Sequence, residues 1–418
     1  MTNLSTSLRR YSRDTFSSFG VRNYRLYYIG QVISTSGTFM QSVAQAWLVL
    51  KLTNSGTALG IVSALQYIPI LLFGAVGGVV ADRFPKRTIL YFTQSAAGLL
   101  AIILGVLVAT NVVTLWMVYI LAFLLGWVTV FDNPARQTFV LELVGVDRLR
   151  NAVTLYSTLV NLSRVIGPSL AALLIATIGL APCFILNGIS YGAVIIMLAV
   201  MRPSELNLTP PAPKTKGQLR EGIHYVRTTP ILLNTLLMLA IIGTLTFEFQ
   251  VSLPILAQFT FNSGASGYAF LSACLGLGAV FGGLAVAGQK RNTPALLVIA
   301  AFFFGGTVLA ASLMPSLYLS GLMLVFTGVC SIFFTSLGNT ILQLNSTPFM
   351  RGRVMAFWAM AFLGSTTIGG PLVGWFATTF GDRWGLAIGG IAGIAAGVLG
   401  VVNLWIGRSK ASEKSIVT

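Results

Sequence analysis

Gly78-Val79-Val80-Ala81-Asp82-Arg83-Phe84-Pro85-Lys86-Arg87 is a charged break between two apolar runs. Neither residues 56–80 before it nor residues 89–110 after it contain a single Asp, Glu, Lys or Arg. Each run exceeds the roughly 20 apolar residues that cross a bilayer. In lipid such a run must be helical, because an open strand leaves its backbone groups unsatisfied. The break itself holds three cations, and cations are retained on the cytoplasmic side during insertion. This one stretch therefore predicts two antiparallel membrane helices joined by a short cytoplasmic loop.

The same alternation runs along the whole chain. Twelve spans are predicted: 26–50, 56–80, 89–110, 113–134, 153–177, 181–201, 231–258, 266–288, 294–314, 317–343, 354–380 and 384–407. All but three of the 26 Lys and Arg fall in every second gap; Lys51 and Arg383 lie on the other side and Arg164 lies within a span. That asymmetry predicts both termini on the cytoplasmic face of a bacterial inner or plasma membrane. With 55% hydrophobic and 9% charged residues and a mean hydropathy of +0.84, the composition excludes a soluble domain. The net charge of +16 sits in loops beside anionic headgroups, so nucleic acid is not the expected partner; lipid is. Residues 1–25 form a basic arm (Arg9, Arg10, Arg13, Arg22, Arg25) with no cleavable signal, and the first span is expected to act as an uncleaved anchor. Cys183, Cys274 and Cys330 lie in apolar segments and read as buried small side chains, not as a disulfide or metal site.

The expected fold is an all-α integral membrane protein, twelve helices in two six-helix bundles, 26–201 and 231–407, followed by a tail at 408–418. Between the bundles, residues 202–230 form a Pro/Lys-rich cytoplasmic linker (Pro203, Pro210, Pro211, Pro213, Lys214, Lys216) with a short surface helix over 218–227. The longest other connection is 135–152. The halves read as diverged repeats: Arg150 and Arg353, Gly167-Pro168 and Gly370-Pro371, and Phe131 and Phe334 are each 203 residues apart. Parallel repeats of this kind bind substrate at their interface and expose it alternately to each side.

Between the second and third spans, Gly78, Asp82, Arg83, Lys86 and Arg87 resemble the loop signature of the major facilitator superfamily, with Pro85 in place of its internal glycine. The resemblance implies a cytoplasmic latch between the halves: Gly78 permits close approach, and Asp82 meets the positive N-terminal end of the eleventh helix and nearby arginines, Arg136 or Arg353. The second half reads Gly283-Leu-Ala-Val-Ala-Gly-Gln-Lys290-Arg291, without the Asp, so no equal latch is expected there. Asn23-Tyr-Arg-Leu-Tyr-Tyr-Ile-Gly-Gln31, Ala46-Trp47-Leu48, Phe131-Asp132-Asn-Pro134-Ala-Arg136-Gln137, Asn161-Leu-Ser-Arg164-Val-Ile-Gly167-Pro168 and Arg351-Gly-Arg353-Val extend the likeness to the siderophore (enterobactin) and macrolide exporter-like branch. Gly167-Pro168 resembles the antiporter motif of the fifth helix, although Ala171-Ala172 replaces the usual glycine pair. Gly369-Gly370-Pro371 with Gly374 repeats it in the eleventh.

Ionisable groups within a membrane are costly and mark functional candidates. Glu248 is placed in the outer half of span seven, Arg164 near mid-depth of span five, and Asp132 at the cytoplasmic end of span four. A carboxylate in low dielectric favours its neutral form. Glu248 is therefore the first candidate for carrying protons and Asp132 the second, while Arg164 binds an anionic group or tunes either acid. The competing readings are a Glu248 that snorkels to the headgroups and an Arg164 held in a structural salt bridge or clamped on carbonyls. A polar stripe on span one (Gln31, Ser34, Thr35, Thr38, Gln41, Ser42, Gln45) repeats every three to four residues and predicts a face toward a cavity or a neighbouring helix. Asn161 on span five, Asn339 and Gln343 on span ten, and the aromatic residues Tyr67, Phe247, Trp358 and Phe362 complete the candidate lining. Gly385, Gly389, Gly393 and Gly397 form a close-packing stripe on span twelve, facing either its own half, in a monomer, or a second copy in a homodimer.

No Gly-Lys dipeptide occurs, so a phosphate-binding loop for ATP is excluded and the energy source is a gradient. Gly188-Ile-Ser190-Tyr-Gly192 matches a hydrolase elbow but lies within a span, and the only His, His224, lies in the linker. The chain is not expected to be an enzyme, nor to hold a metal or cofactor. The expectation is a proton-coupled exporter of amphipathic small molecules, drugs or siderophore-like metabolites, working by rocking of two bundles. Uptake of a nutrient on the same fold, or a non-transporting scaffold or sensor, are the alternatives.

Overall fold

The computed structural model describes residues 17–207, 218–287 and 292–417, and among them the chain forms helices and no strand. The arm through Phe16, the stretch from Pro210 to Lys216 and Lys290-Arg291 lie outside the described residues. The helices are α1 (Arg22–Thr53), α2 (Gly56–Arg83), α3 (Lys86–Ala109), α4 (Leu115–Thr177), α5 (Ala181–Val200), the surface helix α6 (Gln218–Thr228), α7 (Pro230–Ile241), α8 (Phe249–Ile255), α9 (Gly264–Ala287), α10 (Pro294–Leu313), α11 (Leu317–Leu344), α12 (Pro348–Ala359), α13 (Thr366–Phe380) and α14 (Trp384–Val417). Local chemistry sets their ends. Proline opens α7, α10 and α12, where no amide donor is needed. Ser55, Thr293 and Ser316 cap α2, α10 and α11 by accepting from amides three residues on.

Among the described residues, eleven helical segments are long and apolar enough to span a membrane. The twelfth, α1, has 32 residues, but its row of amides and hydroxyls lowers its hydropathy. The expected connection at 135–152 is instead helical: α4 runs on through Pro134 and breaks only at Gly145, whose φ of +71° suits glycine. Within this stretch Glu142 finds a partner inside the bundle. Lys86 Nζ lies 2.8 Å from Glu142, both nearly buried.

Spans seven and eleven are not single helices. A π-turn at Ile242–Thr246 separates α7 from α8, and another at Met360–Gly364 separates α12 from α13. The two breaks lie against each other: a Cβ on Gly243 would stand 2.7 Å from the carbonyl oxygen of Ala361. Helix breaks of this kind free backbone groups and gather at functional sites.

The halves meet along one end. There α2 runs against α13, with Gly56 and Gly60 facing Gly374 and Gly370, and Thr57 hydrogen-bonds Thr378 at 3.3 Å. This end carries Lys51 and Arg383. At the opposite end, where the basic loops gather, Val76, Val79 and Phe84 are exposed and α2 has left α13 behind. The glycine stripe of α14 is filled from within its own half. Gly393 packs on Gly305 of α10, Gly397 on Phe302, Gly389 on Leu245 and Gly385 on Ala377. The stripe therefore packs within its own half.

Candidate functional site

Between the halves lies a cavity of about 610 Å³, within the range that holds a drug-sized ligand. α1, α2 and the second part of α4 build one wall; α8, α9, α11 and the broken α12–α13 helix build the other. Glu248 lies at the N-terminus of α8, where the chain leaves the π-turn. Its side chain is buried, and Oε1 has no hydrogen-bond partner among the described residues. Glu248 therefore does not snorkel to the headgroups, the competing reading, and it lies on the cavity wall just after the break in span seven. α13 makes room for it. A Cβ on Gly369 would lie 2.9 Å from Oε1, and one on Gly370 3.6 Å from Oε2. The Gly369-Gly370-Pro371 motif thereby serves two contacts, one face admitting the carboxylate and Gly370 admitting Gly60 of α2.

Arg164 lines the opposite wall, exposed to the cavity, with its guanidinium 5.8 Å from the ring centre of Phe39. It makes no salt bridge among the described residues, so the salt-bridge reading does not hold. Tyr67, Phe247, Asn339, Trp358 and Phe362 line the cavity, and Pro168 of the Gly-Pro motif lines it too. Trp358 and Phe362 stack at 5.4 Å and 12°, and Phe247 meets Phe362 edge-on at 4.9 Å.

The stripe on α1 turns largely elsewhere, a second correction. Gln31 is buried and accepts from Arg136 at 3.2 Å; Thr35 is buried beside it on the helix. Gln41 accepts from Asn187 of α5 at 2.7 Å. Thr38, Gln41 and Gln45 border a small polar cleft of about 40 Å³, and of the stripe only Ser42 reaches the large cavity. Amides in a membrane bind one another across helices as readily as they face water. Asn161 lies outside the lining, and Gln343 is exposed beyond it and donates to Asn339. Gly167 packs against Phe39 and Ser36 of α1 instead of bounding the cavity.

Asp132 is engaged on every side. It accepts from Thr93 and Gln94, each at 2.7 Å, and pairs with Arg136 one turn on. The latch partners are corrected too. Arg136 is held by Asp132 and Gln31, and Arg353 lies 2.6 Å from Glu221 of α6, while Asp82 is exposed and unpaired among the described residues. A Cβ on Gly78 would meet nothing within 4 Å, and Arg83 is exposed. The reason is geometric: the halves meet at the other end, so the basic end is parted. Arg87 donates to the carbonyls of Leu198 and Ala199 at the C-terminus of α5, where the helix dipole favours a cation. Gln250, Tyr268, Ser272, Ser331, Thr335 and Thr366 also line the cavity and were not anticipated. Tyr268, Ser272 and Leu275 recur at helical spacing on α9, a signal that was available.

The family described as transmembrane secretion effectors matches residues 13–415. The enterobactin exporter EntS of Escherichia coli is 26% identical over 360 residues, covering 84% of each chain. Macrolide efflux protein A of Streptococcus pyogenes is 22% identical over 403 residues, covering 93% of this chain and 98% of its own. Among solved structures, an inward-facing, unoccupied bacterial homologue of the lysosomal transporter Spinster superposes with a TM-score of 0.67 at 15% identity, over 91% of this chain and 95% of its own.

Proposed function

Because this chain belongs to the transmembrane secretion effector family of the major facilitator superfamily, multi-pass membrane transporters and not enzymes, we propose that it is a proton-coupled exporter of amphipathic small molecules. The observation that carries this reading is Glu248: a buried carboxylate with an unpartnered oxygen on the wall of the central cavity. An acid in that position exchanges its proton for substrate if the cavity opens to each side in turn. The lining suits an amphipathic molecule, a drug or a siderophore-like metabolite, since aromatic rings and hydroxyls share it. The relatives export enterobactin or macrolides by name, which favours efflux over nutrient uptake. Asp132 is a poor second acid, because both its oxygens are engaged within one bundle.

In this reading residues 26–201 and 231–407 rock as two bundles about the cavity, with 202–230 as their tether. The basic end faces the bacterial cytoplasm with both termini, and the present state is open to it. When that end closes, Asp82 reaches the N-terminal end of α12. The test is transport into everted vesicles loaded with a pH gradient. Glu248→Gln is expected to abolish gradient-driven accumulation while leaving exchange of labelled for unlabelled substrate intact. Normal gradient-driven accumulation by the variant would refute the proton role.

A further inference from the structure

Among the described residues, the buried charges of the first half are paired. Lys86 is matched by Glu142, and Asp132 by Arg136. At the cavity, two side chains of opposite charge have no ionic partner among the described residues. Glu248 presents an unpartnered oxygen from the second half, and Arg164 presents a guanidinium without a salt bridge from the first. The two do not pair with each other, although Tyr67 lies within electrostatic reach of both. An unneutralised charge at membrane depth is expensive. A cationic ligand would satisfy Glu248 and leave Arg164 as it is; an anionic ligand would do the reverse and would repel an ionised Glu248. Only a molecule with both charges completes the site.

We propose that the ligand is an aromatic zwitterion lying across the two halves, its cationic group on Glu248, its anionic group on Arg164 and its ring against Phe362 and Trp358. This rests on the exporter reading of the same cavity. The planar fork of Arg164 suits a carboxylate or a similarly flat acid. Trp358 Nε1 is a buried donor without a partner, and its ring is already stacked on Phe362, so it offers a hydrogen bond beside an aromatic face. Spanning both halves also gives the ligand a grip on each body that must move. The cationic group and a proton then compete for one carboxylate. The other titratable side chains facing the cavity are Tyr67 and Tyr268, neither of which supplies a second acid at neutral pH.

The experiment uses the full chain in lipid nanodiscs, without any gradient, and the dipeptide Phe-Phe in four forms: free, N-acetylated, C-amidated and doubly capped. Binding is read from tryptophan emission, to which the ligand rings contribute nothing. The free zwitterion is expected to bind about ten-fold or more tightly than either singly charged form, the gain of one charge-assisted contact. Glu248→Gln should erase the benefit of the free amine only, and Arg164→Gln the benefit of the free carboxylate only, with Arg164→Lys restoring part of it. Equal binding of the four forms, binding of none, or a uniform loss for all four in each variant would overturn the proposal. If a variant also loses the doubly capped form through misfolding, the ranking of the four forms on the unaltered protein decides alone. Because no gradient is present, failure here leaves the vesicle test of export standing, and success here does not depend on it.

Discussion

Gly60→Ala is the sharpest test of how the halves close. In this structure a Cβ on Gly60 would stand 2.6 Å from the carbonyl carbon of Gly370 and 2.8 Å from Cα of Pro371, both backbone atoms. Carbon atoms rest at about 3.5 Å or more, so α2 and α13 must part by about 1 Å along their seam. Overpacking of this kind costs about 1–3 kcal/mol. The cost falls on the state in which this end is sealed and not on a state in which it is open, so the equilibrium shifts by roughly 5- to 150-fold. Ser42→Cys in the cavity, in a background without Cys183, Cys274 and Cys330, reports the shift. A membrane-impermeant maleimide added at the face carrying Lys51 and Arg383 should label it faster in the Gly60→Ala protein by a factor in that range. Gly78→Ala is the control: nothing lies within 4 Å of its added carbon, and it should not open the seam. An unchanged labelling rate in a well-folded Gly60→Ala protein would refute the assignment of that seam as the closed gate.

Two further outcomes follow from charges. Asp132→Asn leaves the Arg136 guanidinium without its carboxylate inside the first half, a loss of about 3–5 kcal/mol that should appear as a lower melting temperature in detergent; if the pH profile of transport moved as well, the purely structural role of Asp132 would fall. Burial pushes the Asp382 carboxyl above its ordinary range at the loop before α14. Its ionisation therefore opposes folding, a penalty absent below the ordinary carboxylate range and complete above the raised folded value. Asp382→Asn should raise the melting temperature at neutral pH and have no effect in acid, and a gain that is equal at both pH values would contradict this.

Hydrophobic run length and the placement of Lys and Arg made the helical fold readable, because a bilayer tolerates few alternatives. Glu248 and Arg164 stood out for the same reason: charge is so rare in these spans that each instance has a purpose. What stayed hidden was direction. Gln31, Gln41 and Gln45 share one face of α1, but helical spacing does not say whether that face meets water or another amide, and here it meets Arg136 and Asn187. The π-turns left no mark, since Ile242–Thr246 and Met360–Gly364 read as ordinary apolar helix. Moving Glu248 from the periphery to the cavity wall depends on the first of them. Partners of the loop motif were unreadable for a different reason. Asp82 pairs with neither Arg136 nor Arg353 in this structure, and a sequence does not say how the two basic ends are placed.

α6 is bound to α12 through Glu221 and Arg353, with Gly222 set close against Phe357, and α12 is hinged to α13 at the Met360–Gly364 turn. A helix in the tether is thus bolted to the short arm of a lever whose pivot borders the cavity. If α12 moves during transport, a fluorophore on exposed Arg220 or His224 is expected to report that movement from outside the cavity lining.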